Sequence, residues 1–158
     1  MNHVLDCPPC PSFEPLNPDF GRIVRDSFHR QSLLAGFGAI LRLVEPGRTV
    51  ITAPVGDGVL QQDGFPHAGF GWSLGDSAAG FAALSLMAER ERVLTVEMKI
   101  NLLAPAAGDC LIAEGRVLRF GRTICVVTAD LYAERQGQSG CKHVATMLGS
   151  MTRVRPVD

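Results

Sequence analysis

Apolar residues recur along this chain in two rhythms, and the changes between them mark its elements. From Phe20 to Leu34 the spacing is helical, with Phe20, Ile23, Val24, Phe28 and Leu34 on one face. Asp19 stands where an N-cap belongs, and the Gly36–Gly38 stretch ends a helix predicted near 20–33. Residues 39–44 read as a strand. The turn Glu45-Pro46-Gly47 and the alternating segment 48–54 complete a predicted hairpin. Residues 55–66 hold three glycines and a proline and read as a loop. A helix is then predicted from Ala68 to about Arg90, roughly 23 residues and apolar on most sides, so that other structure must wrap it. Gly71, Gly75 and Gly80 each cost about 1 kcal/mol in an exposed helix. In a buried one they let another backbone come close. The remainder alternates with period two. Strands are predicted at 93–103, 110–120, 122–133 and 141–153, joined by short turns as an antiparallel meander. One long helix against one curved sheet is an α+β layer architecture.

Composition narrows the field without deciding it. The chain has 158 residues, enough for one domain with a real core and short for two. Its formal charge of −1 argues against a nucleic-acid or membrane-surface partner. No apolar run reaches the roughly 18 residues of a membrane span. The first residues lack a basic n-region and an apolar h-region, so a soluble cytoplasmic protein is expected. Residues 1–18 carry five prolines from Pro8 to Pro18 and are expected to form an extended arm preceding a single domain over 19–158. The odd count of five cysteines argues against a disulfide framework. Cys7 and Cys10 have C-x-x-C spacing, but in a Pro-rich tail with no second pair, and are read as incidental rather than as a metal or redox site.

Candidate chemistry concentrates between Gln61 and Gly108. A turn bearing Gly, Pro and His opens the long helix, and Asp76 is the one acid within its apolar part. Four local patterns resemble the hotdog-fold thioesterases, specifically the phenylacetyl-CoA-thioesterase-like (PaaI-type) branch. They are Gly64-Phe65-Pro66-His67-Ala68-Gly69, Gly75-Asp76-Ser77-Ala78-Ala79-Gly80, the strand Leu94 to Asn101 with Pro105 and Gly108, and Arg119-Phe120-Gly121-Arg122. The resemblance covers roughly residues 35–153, in order and at compatible spacing. It implies a hotdog fold, with a long central helix wrapped by a curved antiparallel sheet of five to six strands. It also implies acyl-CoA thioesterase activity, with no metal and no cofactor beyond the coenzyme A of the substrate. Homodimers with sites at the subunit interface, packed further into tetramers, are implied as well. One departure is Ala68, where the family's turn has Gly. Ala still donates its N–H but disfavours a positive φ.

Thioester hydrolysis needs a polarised carbonyl, an activated water or a carboxylate nucleophile, and a thiolate leaving group. The helix start at His67, Ala68 and Gly69 offers free N–H groups and partial positive charge to an oxyanion. Asp76 would act as general base or as nucleophile, and the sequence leaves both open. Ala68 and Asp76 are eight residues apart, about 12 Å along a helix. They can meet on one carbonyl only if two antiparallel helices from two subunits lie side by side. His67 is read chiefly as shaping its turn, with direct proton transfer as the alternative. Gln61 could orient water or thioester through its amide, and the Thr95 hydroxyl could hold the attacking water. Lys99, Asn101, Arg119 and Arg122 are candidates for the coenzyme A moiety, although a solvated strand face and surface arginines explain them as well. Phe65, Phe70, Trp72 and Phe81 suit an aromatic or medium-chain acyl group unless they are core. Two other classes compete: a non-catalytic acyl-CoA sensor or carrier, which has no use for a helix-borne acid, and a hydratase or dehydratase acting on enoyl-CoA, which needs an Asp and His paired as acid and base in a motif not seen here.

Overall fold

The computed structural model describes residues 12–155. Cys7 and Cys10 lie outside them, as does most of the Pro-rich segment. Phe13 packs beside Gly47 and Leu86, and the Leu16 N–H donates to Leu86 O, so the later part of that segment lies on its own domain. The apolar face predicted for the first helix is real but divided. Helix α1 spans Phe20–His29 and α2 spans Ser32–Gly36, burying Val24, Phe28 and Leu34. Asp19 occupies the N-cap position without capping through its side chain, which pairs with Arg22 instead.

The hairpin forms as β1 (Ile40–Glu45) and β2 (Arg48–Pro54). Helix α3 starts at Ala68 as expected but ends at Leu84, six residues short of Arg90. The cause is a set of competing partners at its end. Ser85 Oγ donates to Ala82 O and accepts the Gly47 N–H, and the Leu86 carbonyl accepts from Leu16. The chain then turns with Leu86 and Met87 buried. Beyond the turn, Glu91 is 4% exposed and accepts from Arg153, Arg155 and the Ala88 N–H. Burial alone would push the Glu91 carboxyl up, but these hydrogen bonds outweigh it and hold its pKa below the ordinary value.

Four long strands follow: β3 (Arg92–Leu102), β4 (Cys110–Phe120), β5 (Ile124–Glu134) and β6 (Cys141–Val154). The sheet order is β1-β2-β4-β5-β6-β3, with every pairing antiparallel. The expected four-strand meander is therefore only a three-strand one. β3 lies at the far edge, beside β6 rather than β4. Alternation specifies which face of a strand is buried, and it does not name the neighbour.

Irregularities in register at Leu41/Leu43, Thr95/Glu97 and Val117/Arg119 bend the sheet around α3. The Ala- and Gly-rich helix lies in this curve, and Gly115 of β4 lies directly under the backbone of Ala78 and Ala79. Thr49 Oγ1 donates to Ala78 O at 2.6 Å, mooring the helix there. On the edge strand β3, Leu94 and Val96 are each 58% exposed. Cys110, Cys125 and Cys141 are free thiols. Among the described residues no helix is long and apolar enough to cross a membrane.

Candidate active site

The loop before α3 builds the first half of the site. Leu60 bridges to Pro66, Gln61 N–H donates to Phe65 O, and His67 N–H donates to Val59 O, so the chain enters the helix in a fixed direction. Positive φ at Gly64 allows the turn. His67 is the N-cap, with φ −62° and ψ 141°, and its Nδ1 accepts the Gly69 N–H at 2.9 Å. Since Nδ1 accepts, the neutral ring carries its proton on Nε2. Phe70 N–H turns back to His67 O. The first-turn donors at Gly69 and Phe70 are thus taken, and among the described residues the Ala68 N–H has no partner. His67, Ala68 and Gly69 are all exposed. No residue other than glycine has positive φ among those described, so alanine fits this helix start without strain.

Gln61 and His67 line, with Ala68, the mouth of a cavity of about 630 Å³. The Gln61 Oε1 accepts the Asp63 N–H and is engaged in shaping its own loop.

The second half of the site lies two turns further along α3. Asp76 Oδ1 accepts a 2.7 Å hydrogen bond from Thr95 Oγ1. Thr95 faces the helix, as expected, but its hydroxyl bonds the carboxylate directly. Burial pushes the Asp76 carboxyl above its ordinary value, and the Thr95 bond offsets only part of that rise. Two neighbours carried no signal in the sequence for this role. The Trp72 indole, one helical turn before Asp76, donates to Met98 O at 3.3 Å. Gln31, from the link between α1 and α2, meets the Ser77 hydroxyl at 3.3 Å. Contacts across 46 residues of chain leave no trace in local spacing.

The four residues considered for coenzyme A do not converge within one chain. Lys99 and Asn101 pair across from Leu148 and Thr146 on edge strand β3. Arg119 belongs to β4, three strand spacings or about 14 Å away. Arg122 is exposed in the β4–β5 turn. Of the four aromatics, Phe70 and Phe81 are core, Phe65 lines the cavity, and Trp72 stands on the face of Asp76.

Comparison with known proteins supplies the remaining link. A sequence model described as the thioesterase superfamily matches residues 64–139, from the Gly64 turn through α3 to just beyond β5. A Saccharolobus solfataricus protein named as a candidate esterase is 32% identical over 112 residues, covering 71% of this chain and 79% of that protein. The crystal structure of a thioesterase family protein from Silicibacter pomeroyi is 41% identical with a TM-score of 0.83, covering 87% of this chain and 99% of the other. The PaaI protein of the E. coli phenylacetic acid degradation operon shares the fold at 23% identity, with a TM-score of 0.75 over 86% of this chain and 94% of its own. The matched span contains both the His67–Ala68 turn and the Asp76 helix. This chain belongs to the thioesterase superfamily, as a thioester hydrolase of the hotdog fold.

Proposed function

We propose that this thioester hydrolase cleaves an acyl-CoA thioester to free acid and coenzyme A, in sites shared between two subunits of a homodimer. The observation that carries the reading is a contrast between two acids. Glu91 is buried for structure: two arginines neutralise it and its pKa is lowered. Asp76 is half-buried with, among the described residues, a single hydroxyl for a partner, and its pKa is raised. A carboxylate kept short of compensation is suited to take a proton or attack a carbonyl.

The thioester carbonyl oxygen sits on the Ala68 N–H of one subunit, and Asp76 approaches from the other. As general base, Asp76 takes a proton from water while the water oxygen bonds to the carbonyl carbon. The carbonyl π pair moves to oxygen and is stabilised by the Ala68 N–H and the helix dipole. Collapse breaks the C–S bond, and the thiolate leaves with the electron pair. As nucleophile, Asp76 would instead form a mixed anhydride that water then hydrolyses. A single turnover in ¹⁸O-water that labels the Asp76 carboxyl favours the second course. The exposed apolar residues and open edge of β3 support pairing of two sheets along that strand. Lys99, Asn101, Arg119 and Arg122 are the groups within the dimer considered for coenzyme A.

Ala68→Pro tests the donor in isolation. Proline is tolerated at the first helical position, His67 already has the extended backbone that precedes proline, and only the unpaired N–H is lost. We expect kcat to fall about 10²-fold with little change in melting temperature. Mixing Ala68→Pro with Asp76→Asn subunits then tests the sharing. A composite site regenerates one intact centre in each heterodimer, restoring about a quarter of wild-type activity in a statistical mixture. Exchange of subunits without any recovery would place both groups in one chain's site and defeat the dimeric reading.

A further inference from the structure

We infer that the cavity beside the start of α3 is the acyl pocket, that it admits an uncharged apolar acyl group of limited length, and that it belongs to the subunit whose Ala68 holds the carbonyl. This rests on the acyl-CoA reading above and adds the substrate class. The cavity, about 630 Å³, lies between the first turn of α3, the C-terminal half of β3 and the segment after it. Such a volume is ordinary for a small-molecule site. Its mouth is at Gln61, His67 and Ala68, and its inner wall includes Leu111, Leu131 and Val144, each no more than 2% exposed.

A thioester placed with its carbonyl on Ala68 has two arms to dispose of. The coenzyme A arm carries amides and phosphates, which an apolar recess cannot satisfy. The acyl arm is therefore the one that turns inward. Gly71, one turn beyond Ala68, keeps the way open. A Cβ there would stand 3.0 Å from Leu131 Cδ2 and 4.0 Å from Leu111 Cδ1, across the passage to the inner wall. Among the described residues, none that lines the cavity is Asp, Glu, Lys or Arg. The polar side chains that line it, Gln61, Gln62 and His67, belong to the loop and helix start where the carbonyl is held, so a carboxylate at the far end of an acyl chain would meet apolar side chains and have to shed its water without a charged partner. Monoacyl and arylacyl thioesters are thus admitted, and thioesters of dicarboxylic acids are rejected.

The test is thiol release from acetyl-, butyryl-, hexanoyl-, phenylacetyl-, palmitoyl- and succinyl-CoA. Expected for the wild type is a rise in kcat/KM of about fourfold per methylene until the pocket is full, then a fall for palmitoyl-CoA. Succinyl-CoA should lie at least about 100-fold below butyryl-CoA, which has the same number of acyl carbons but ends in methyl. Gly71→Val should lower the hexanoyl-to-acetyl ratio of kcat/KM about tenfold. Ala106→Phe, from the segment after β3, should lower it in the same direction should the first variant fold poorly. In the mixed dimers described above, Gly71→Val should shift this ratio when carried by the subunit with intact Ala68, and not when carried by the subunit with intact Asp76. Succinyl-CoA turned over as well as butyryl-CoA, or ratios unmoved in both filled variants, would overturn the pocket assignment while leaving the thioesterase reading in place. A shift arising from the other subunit would overturn the same-subunit assignment. Absence of turnover on every thioester would sink the acyl-CoA reading, and this inference with it.

Discussion

Asp76→Asn is expected to lower kcat by at least about 10³-fold and, at neutral pH, to raise the melting temperature. The first effect follows from losing the group that takes the proton or attacks the carbonyl, in a side chain of nearly unchanged shape. The second follows from the direction of the pKa shift. Burial holds the folded-state pKa of Asp76 above its ordinary value. For such a group the folded state is favoured in the protonated form. Its contribution to stability is fully present below the unfolded pKa and is lost as pH rises through the folded pKa. At neutral pH the wild type carries the penalty of a half-buried carboxylate, and the asparagine variant does not. Melting curves of both proteins at neutral and acid pH check this: the gap should narrow towards acid. A variant that melts lower than wild type at neutral pH, or retains its turnover, would remove Asp76 from the centre of the mechanism.

The same residue sets the pH profile. Activity needs the ionised carboxylate, so kcat/KM should rise with pH through the Asp76 pKa. Thr95→Val removes the hydrogen bond that opposes the rise in that pKa. The acid limb should therefore move to higher pH. A limb that stayed in place or moved to lower pH would mean that another group governs it.

Gly115→Ala is expected to be the most damaging small substitution in the sheet, costing about 4 kcal/mol and lowering the melting temperature by about 10 °C. Gly115 pairs with Thr49 and Ala129 in the middle of the sheet. Its Cβ would overlap the backbone of Ala78 and Ala79. Main chain cannot swing aside as a flexible side chain can, so the helix would have to lift from the sheet and break the bond from Thr49 to Ala78 O. Asp76, two residues before that point, would shift with it, so activity should fall with stability. Gly36→Ala is the control, because a Cβ there meets nothing within 4 Å. Thermal denaturation of both variants decides the matter. A Gly115→Ala protein as stable as wild type would show that helix and sheet are not in close contact there.

Much of the candidate site was legible because its parts are local. The turn at 64–69, the acid in an apolar helix and the alternating strand after it each occupy a few consecutive residues, and their spacing implies where backbone donors and side chains point. The eight-residue separation of Ala68 and Asp76 already put them too far apart along one helix to meet on one carbonyl, since a helix rises by a fixed amount per residue. The bond from Thr95 to Asp76 was not legible. Thr95 was identifiable as facing the helix, but the sequence does not state whether its hydroxyl meets water or carboxylate. Nor could it show that His67 takes the Gly69 N–H and leaves Ala68 as the open donor. Gln61 was singled out for chemistry, yet its side-chain oxygen holds its own loop.

By itself the sequence determined the six strands, the start of the central helix, the order of the elements and the residue types at the helix start and on its apolar face. These follow from periodicity and turn chemistry, which act within a few residues. Only the tertiary structure decided that α3 stops at Leu84, that β3 lies beside β6, that Gly115 supports the helix backbone, and that Leu111 and Leu131 line the cavity by Ala68. Each of those depends on which distant backbone or side chain competes for the same hydrogen bond or the same space. That competition is resolved only when the sheet closes around the helix.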